Sequence, residues 1–119
     1  MAKPETNDDR IAFRAHAIAF WAESRSGTAE GANAHTDAAD VIVERWAESG
    51  NAHEILASML DYKLIEVRYA AAAYLLSLGD ADAAVPVLEE IAQTKTSVGL
   101  IASGADLLLM NYRSEHPPQ

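Results

Sequence analysis

Three side chains in the first third of the chain have the types that metal or acid–base chemistry uses: His16, His35 and Asp37. Imidazole and carboxylate are common ligands of zinc and iron, and together they can form a proton-transfer pair. The spacing argues against both uses. Residues two apart on a helix point to different sides, so His35 and Asp37 do not converge. His35 instead falls on the row of Ala38, Ile42 and Trp46, which predicts a core histidine bonded to a backbone group. A second candidate is a pair of carboxylates, Glu89 with Glu90 or Glu44 with Glu48, as hydrolytic enzymes use. Charged residues on an amphipathic helix are far more often its wet face. His53 and His116 read as solvent-facing, each without a neighbouring ligand at useful spacing. The sequence holds no cysteine, which excludes disulfides and thiol catalysis. It also lacks Gly-rich phosphate loops, nucleophile elbows and zinc-type spacings. The expectation is a protein that is not an enzyme, with no catalytic residue, metal or cofactor. The rival is a small-ligand or metal-dependent enzyme built around His16, His35 and Asp37.

Composition narrows the partners. The chain has 119 residues, half of them hydrophobic, which suits one folded domain with a single core. Eighteen acids against nine Lys and Arg give a formal net charge of −9. Such a surface repels nucleic acid and anionic lipid and favours basic or neutral partners. No apolar run approaches the roughly 20 residues of a membrane span. MAKPETNDDR lacks the basic-then-apolar layout of a secretory signal, so a bacterial cytoplasm is the expected location.

The elements that must position these groups are all helical. Asn7 or Asp8 can cap a first helix running to about Ser24, with Ile11, Ala15, Ile18 and Ala22 in one row. Phe13, Phe20 and Trp21 lie elsewhere around it. A terminal helix this apolar needs a cover, either from residues 25–34 or from a second copy in a homodimer. Residues 25–32 read as a loop, with Asn33 as cap or loop-bonding residue. A second helix spans about Ala34 to Glu48 and buries Ala38, Ile42 and Trp46, beside Ala39 and Val43. Asn51 with Glu54 has capping-box spacing, and Ile55, Leu56, Met59 and Leu60 form the core side of a short third element.

The stretch from Asp61 to Ile91 organises the rest. Val67, Ala71, Leu75 and Leu78 line one side of a helix, and Ile65, Tyr69, Ala72 and Leu76 line the other. A helix apolar on two sides is packed between others. Gly79 suits the left-handed stop, Asp80 the cap of the next helix, and Pro86 predicts a loosened first turn from Ala81 to Val85. Thr96 or Ser97 can cap a last helix with Val98, Ile101, Ala102, Ala105, Leu108 and Leu109 on one face. Gly99 and Gly104 weaken it by about 1 kcal/mol each but permit close packing. Residues 1–7 and 113–119 read as flexible tails.

Asp61, Val67-Arg68, Ala71-Ala72, Leu75, Gly79-Asp80, Ala83, Pro86, Leu88 and Ile91 together resemble the HEAT repeat in its short bacterial form. That resemblance implies stacked antiparallel helix pairs, with Asp61 and Arg68 as the charged positions that tie repeats together. An offset of 31 residues sets Leu56 on Val87, Leu60 on Ile91, Val67 on Val98, Ala71 on Ala102 and Leu78 on Leu109. This weak internal repeat points to two stacked pairs after residue 50 and a divergent pair before it. The expected fold is therefore all-α, a short HEAT-like solenoid of about six helices in three antiparallel pairs.

A second resemblance covers most of the chain. His16, Trp21, Asn33, His35, Asp37, Val67-Arg68, Ala71-Ala72 and Leu88-Glu89-Glu90-Ile91 are similar to the small bacterial helical family called domain of unknown function twenty-nineteen. The family is HEAT-like and carries no assigned activity, and some members occur in settings suggestive of toxin immunity. This chain departs from it between Tyr69 and Tyr74, where relatives often carry bulkier aromatics or a His, and no functional residue transfers. The best functional lead is thus the acidic stripe Asp37, Asp40, Glu44 and Glu48, read as a docking face for a basic partner protein. Glu66, Tyr69 and Asp106 extend that binding side if the second helix of each pair lines a concavity. Tyr62 and Tyr69, next to charge, suit interface anchors, with core tyrosines as the competing reading.

Overall fold

The computed structural model describes residues 7–26, 29–94 and 101–115. Within them the chain forms six α-helices and no strand: α1 (Asn7–Ser26), α2 (Ala29–Glu48), α3 (Ala52–Ala57), α4 (Ile65–Ser77), α5 (Ala81–Gln93) and α6 (Ile101–Glu115). The helix with two apolar rows, α4, is the most surrounded: it packs against α3, α5, α1 and α6. Val67, Ala71, Ala72 and Leu75 are fully buried there, so both rows contribute to the core. Leu78, at the helix end, stays exposed. α5 packs heavily on α4 and in turn on α6. Val67, Ala71 and Leu75 of α4 and Ile101, Ala105 and Leu109 of α6 form equivalent buried triads, each at i, i+4 and i+8. The correspondence therefore runs a few residues longer than the 31-residue offset, which places exposed Leu78 on buried Leu109.

The turn before α5 behaves as its residues demand. Gly79 adopts φ +92° and Asp80 accepts a hydrogen bond from the Ala83 amide at 3.3 Å. α5 runs as one helix through Pro86, so the loosened first turn is not formed. Pro86 and Asp82, four residues back, are both exposed, and the missing amide therefore falls on the wet side of the helix. Asn51 precedes α3 but makes no side-chain capping bond, so the Asn51–Glu54 box does not form.

The N-terminal pair departs most from expectation. α1 buries Phe13, Ala17 and Trp21, whereas Ile11, Ala15 and Ile18 face outward. Aromatic rings offer more area to bury than the aliphatic row, and Phe13 is held between Trp46 and Tyr74 at centroid distances of 5.4 and 5.7 Å. Helix α2 begins at Ala29, ahead of the loop boundary, because buried Ala32 packs in the core. Asn33 thus sits exposed inside the helix and caps nothing. Gly31 costs about 1 kcal/mol of helix propensity, but a Cβ there would stand 2.7 Å from Glu23 Oε2. Asn7 and Asp8, the cap candidates, are themselves the first two residues of α1, and Thr96, Ser97, Val98, Gly99 and His116 lie outside the described residues. At the other end α6 continues through Glu115, with Arg113 paired to Glu89 at 2.9 Å, so residues 113–115 are helix and not tail.

Arg68 does not reach Asp61. Its Nη1 donates to the carbonyls of Tyr62 and Lys63, at 2.9 and 3.3 Å, and so pins the loop that leads into its own helix.

Candidate functional site

Helices α1, α2 and α4 enclose a cleft of about 300 Å³. It exists because four small residues, Ala17, Ala39, Ala70 and Ala73, stop short where larger side chains would meet. Part of the tetra-alanine run thus packs the core while Ala70 and Ala73 floor the opening. The walls are aromatic: Phe13, Phe20 and Trp21 from α1, with Tyr69 and Tyr74 from α4. Trp21 meets Phe20 and Tyr69 edge to face, at 5.1 and 5.3 Å. Behind them Gly104 of α6 leaves the space these rings fill, since a Cβ there would approach Tyr69 Oη to 3.1 Å and Trp21 Cη2 to 3.3 Å.

Polar side chains line the cleft too: Thr36 and Ser77, a histidine pair, and Asp40 with Tyr74. His16 on α1 and His35 on α2 face each other with Nδ1 atoms 2.9 Å apart. A bond between two like nitrogens requires opposite tautomers in the uncharged pair, one ring donating from Nδ1 and the other accepting. Each ring then turns its Nε2 outward, one as acceptor and one as donor. Further along, the Tyr74 hydroxyl donates to Asp40 Oδ1. Burial and the Asp40 carboxylate, by its hydrogen bond and its charge, push the Tyr74 phenol well above its ordinary value. Burial alone raises that of Tyr69.

The sequence candidates are accordingly redistributed. His16 and His35 do come together, but His35 bonds to the His16 ring and not to a backbone group. Asp37 is exposed on another side of α2 and does not join them. Among the described residues no group of three or more His, Cys, Asp or Glu could hold a metal. The acidic stripe splits: Asp37, Glu44 and Glu48 stay exposed, while Asp40 turns into the cleft. Tyr69 lines the cleft, whereas half-buried Glu66 and exposed Asp106 do not. Tyr62 lies outside it as well, with the Arg14 guanidinium 5.3 Å above its ring. Glu89 is taken up by Arg113, and His53 is exposed. Sequence reasoning placed Asp40 on the acidic stripe and missed its bond to Tyr74, from which 34 residues separate it.

No protein family, curated protein or solved structure matches this chain. Its site therefore rests on geometry alone.

Proposed function

We propose that this chain is a non-enzymatic, HEAT-like interaction module that docks a basic protein partner across the outer face of α2. The carrying observation is that Asp37, Glu44 and Glu48 stand exposed along one helix and that among the described residues no cation pairs with them. The nearest cation on that helix, Arg45, is engaged instead by Asp9 at 2.8 Å. Uncompensated carboxylates on a chain of net charge −9 raise encounter rates with a basic surface and reject acidic competitors. The HEAT-like assignment draws support from sequential helices packing on one another, the Gly79-Asp80 turn, Pro86 on α5 and the matched triads of α4 and α6. Masking of a toxin's basic surface is the sharper form of this reading, and membership of the twenty-nineteen family belongs with it. No helix is long and apolar enough to cross a membrane among the described residues.

A combined reversal of Asp37, Glu44 and Glu48 to Lys tests the docking face, with Asp82→Lys on α5 as control. A protein captured by the native chain and the control, released by salt and lost on the triple reversal, is the expected result. Capture that survives the reversal overturns the docking face.

A second reading rests on Ile11 and Ile18, 50% and 36% exposed on α1. Their apolar row suits a homodimer, and light scattering on the native chain and on Ile11→Glu distinguishes it.

A further inference from the structure

We infer that the cleft between α1, α2 and α4 is a binding site for a small organic ammonium ion, its charge against Asp40 and its apolar body against Trp21, Tyr69 and Tyr74. The inference does not depend on the docking face, which uses carboxylates outside the cleft. Its starting point is the state of Asp40. This carboxylate is half-buried, lines the cleft and accepts a hydrogen bond from the Tyr74 hydroxyl. Among the described residues no cation pairs with it and no second hydrogen bond reaches it. An ionised carboxylate has about four acceptor positions, so most of its capacity is unused. His16 and His35, the residues of the cleft lining that can carry positive charge, direct Nδ1 at each other.

The remaining surface selects the class of cation. Trp21 and Tyr69 stand at 82° to one another, and Phe13 and Tyr74 at 58°, so the rings along the cleft are tilted against each other and not stacked in parallel. Aromatic faces carry negative potential and attract alkylammonium groups, most strongly where water is displaced. A hydrated metal ion gains little from such walls, and a purely apolar molecule leaves the carboxylate's charge uncompensated. At about 300 Å³ the space stands at the lower end of small-molecule sites. Ala70 and Ala73 give the apolar body of the ligand room without a polar floor.

Amide NMR titration of the full chain with choline tests the assignment, alongside its uncharged isostere in which a tert-butyl group replaces trimethylammonium. Choline is expected to shift resonances of α1, α2 and α4 around the cleft and to bind about tenfold more tightly than the alcohol. Asp40→Asn, which keeps an acceptor for Tyr74, should bring choline down to the alcohol's affinity. Equal binding of choline and alcohol to the native chain overturns the inference, as does the absence of cleft shifts with choline. N-acetyl-lysine methylamide identifies the source of the ammonium group. Weaker binding than choline supports a free ligand, and tighter binding overturns it in favour of a lysine side chain from a protein.

Discussion

The Tyr74 hydroxyl on α4 donates to the Asp40 carboxylate on α2, tying together two helices that both pack against α1. The two helices make little direct backbone contact of their own. This bond therefore sets the width of the cleft at its polar end, and the cleft's chemistry follows from it: a carboxylate held among aromatic rings.

Removal of the donor should cost more than the area lost. In Tyr74→Phe the half-buried Asp40 loses the hydroxyl that donates to it, and we expect a loss of about 1–2 kcal/mol in urea unfolding. Asp40→Asn should cost less, because its amide oxygen still accepts the phenol. A double-mutant cycle that finds no coupling between the two positions would contradict the structural tie.

Alkaline pH should weaken the fold through the same residues. Both Tyr69 and Tyr74 have raised phenol values in the folded chain, so the fold favours their neutral forms. In the unfolded chain a tyrosine ionises near 10. Stability from these residues is therefore complete below about pH 10 and declines as pH rises from there toward the folded values. Urea midpoints measured between neutral and strongly alkaline pH should fall, and fall less steeply in Tyr74→Phe.

Gly104→Ala sets two effects against each other. Alanine gains about 1 kcal/mol of helix propensity over glycine. The new methyl would also meet Tyr69 Oη at 3.1 Å and Trp21 Cη2 at 3.3 Å. Overpacking of that kind costs about 1–3 kcal/mol, so the net effect should be destabilising. Thermal unfolding measures the balance, and a higher melting temperature would show that the rings yield freely.

The α4–α5 turn offers a local test. Asp80→Ala should lose about 0.5–1 kcal/mol, the lower part of the capping range, since its bond to Ala83 is long. Gly79→Ala forces a Cβ into the left-handed region at about 1 kcal/mol, although nothing lies within 4 Å of it. Denaturant midpoints of both variants check these values. A neutral Gly79→Ala would mean that the turn relaxes to another conformation.

The amino-acid sequence by itself determined the helical class, the core role of Trp46, Val67, Ala71 and Leu75, and the stop and start at Gly79-Asp80. Each of these depends on contacts within about one or two turns of chain, where a 3.6-residue period or a capping side chain acts directly. Only the tertiary structure decided which side of α1 is buried. That helix carries apolar residues all around, and the choice of Phe13, Ala17 and Trp21 over Ile11 and Ile18 follows from where α2 and α4 lie. The same holds for α2, whose early start depends on burying Ala32, and for Asp40, drawn out of an acidic row by a tyrosine on another helix. His16 and His35 lie 19 residues apart, a separation that carries no periodic signal, and their bond forms only when α1 and α2 pack side by side. Helical spacing identifies the faces that a helix has; the positions of its neighbours decide which of them meets water.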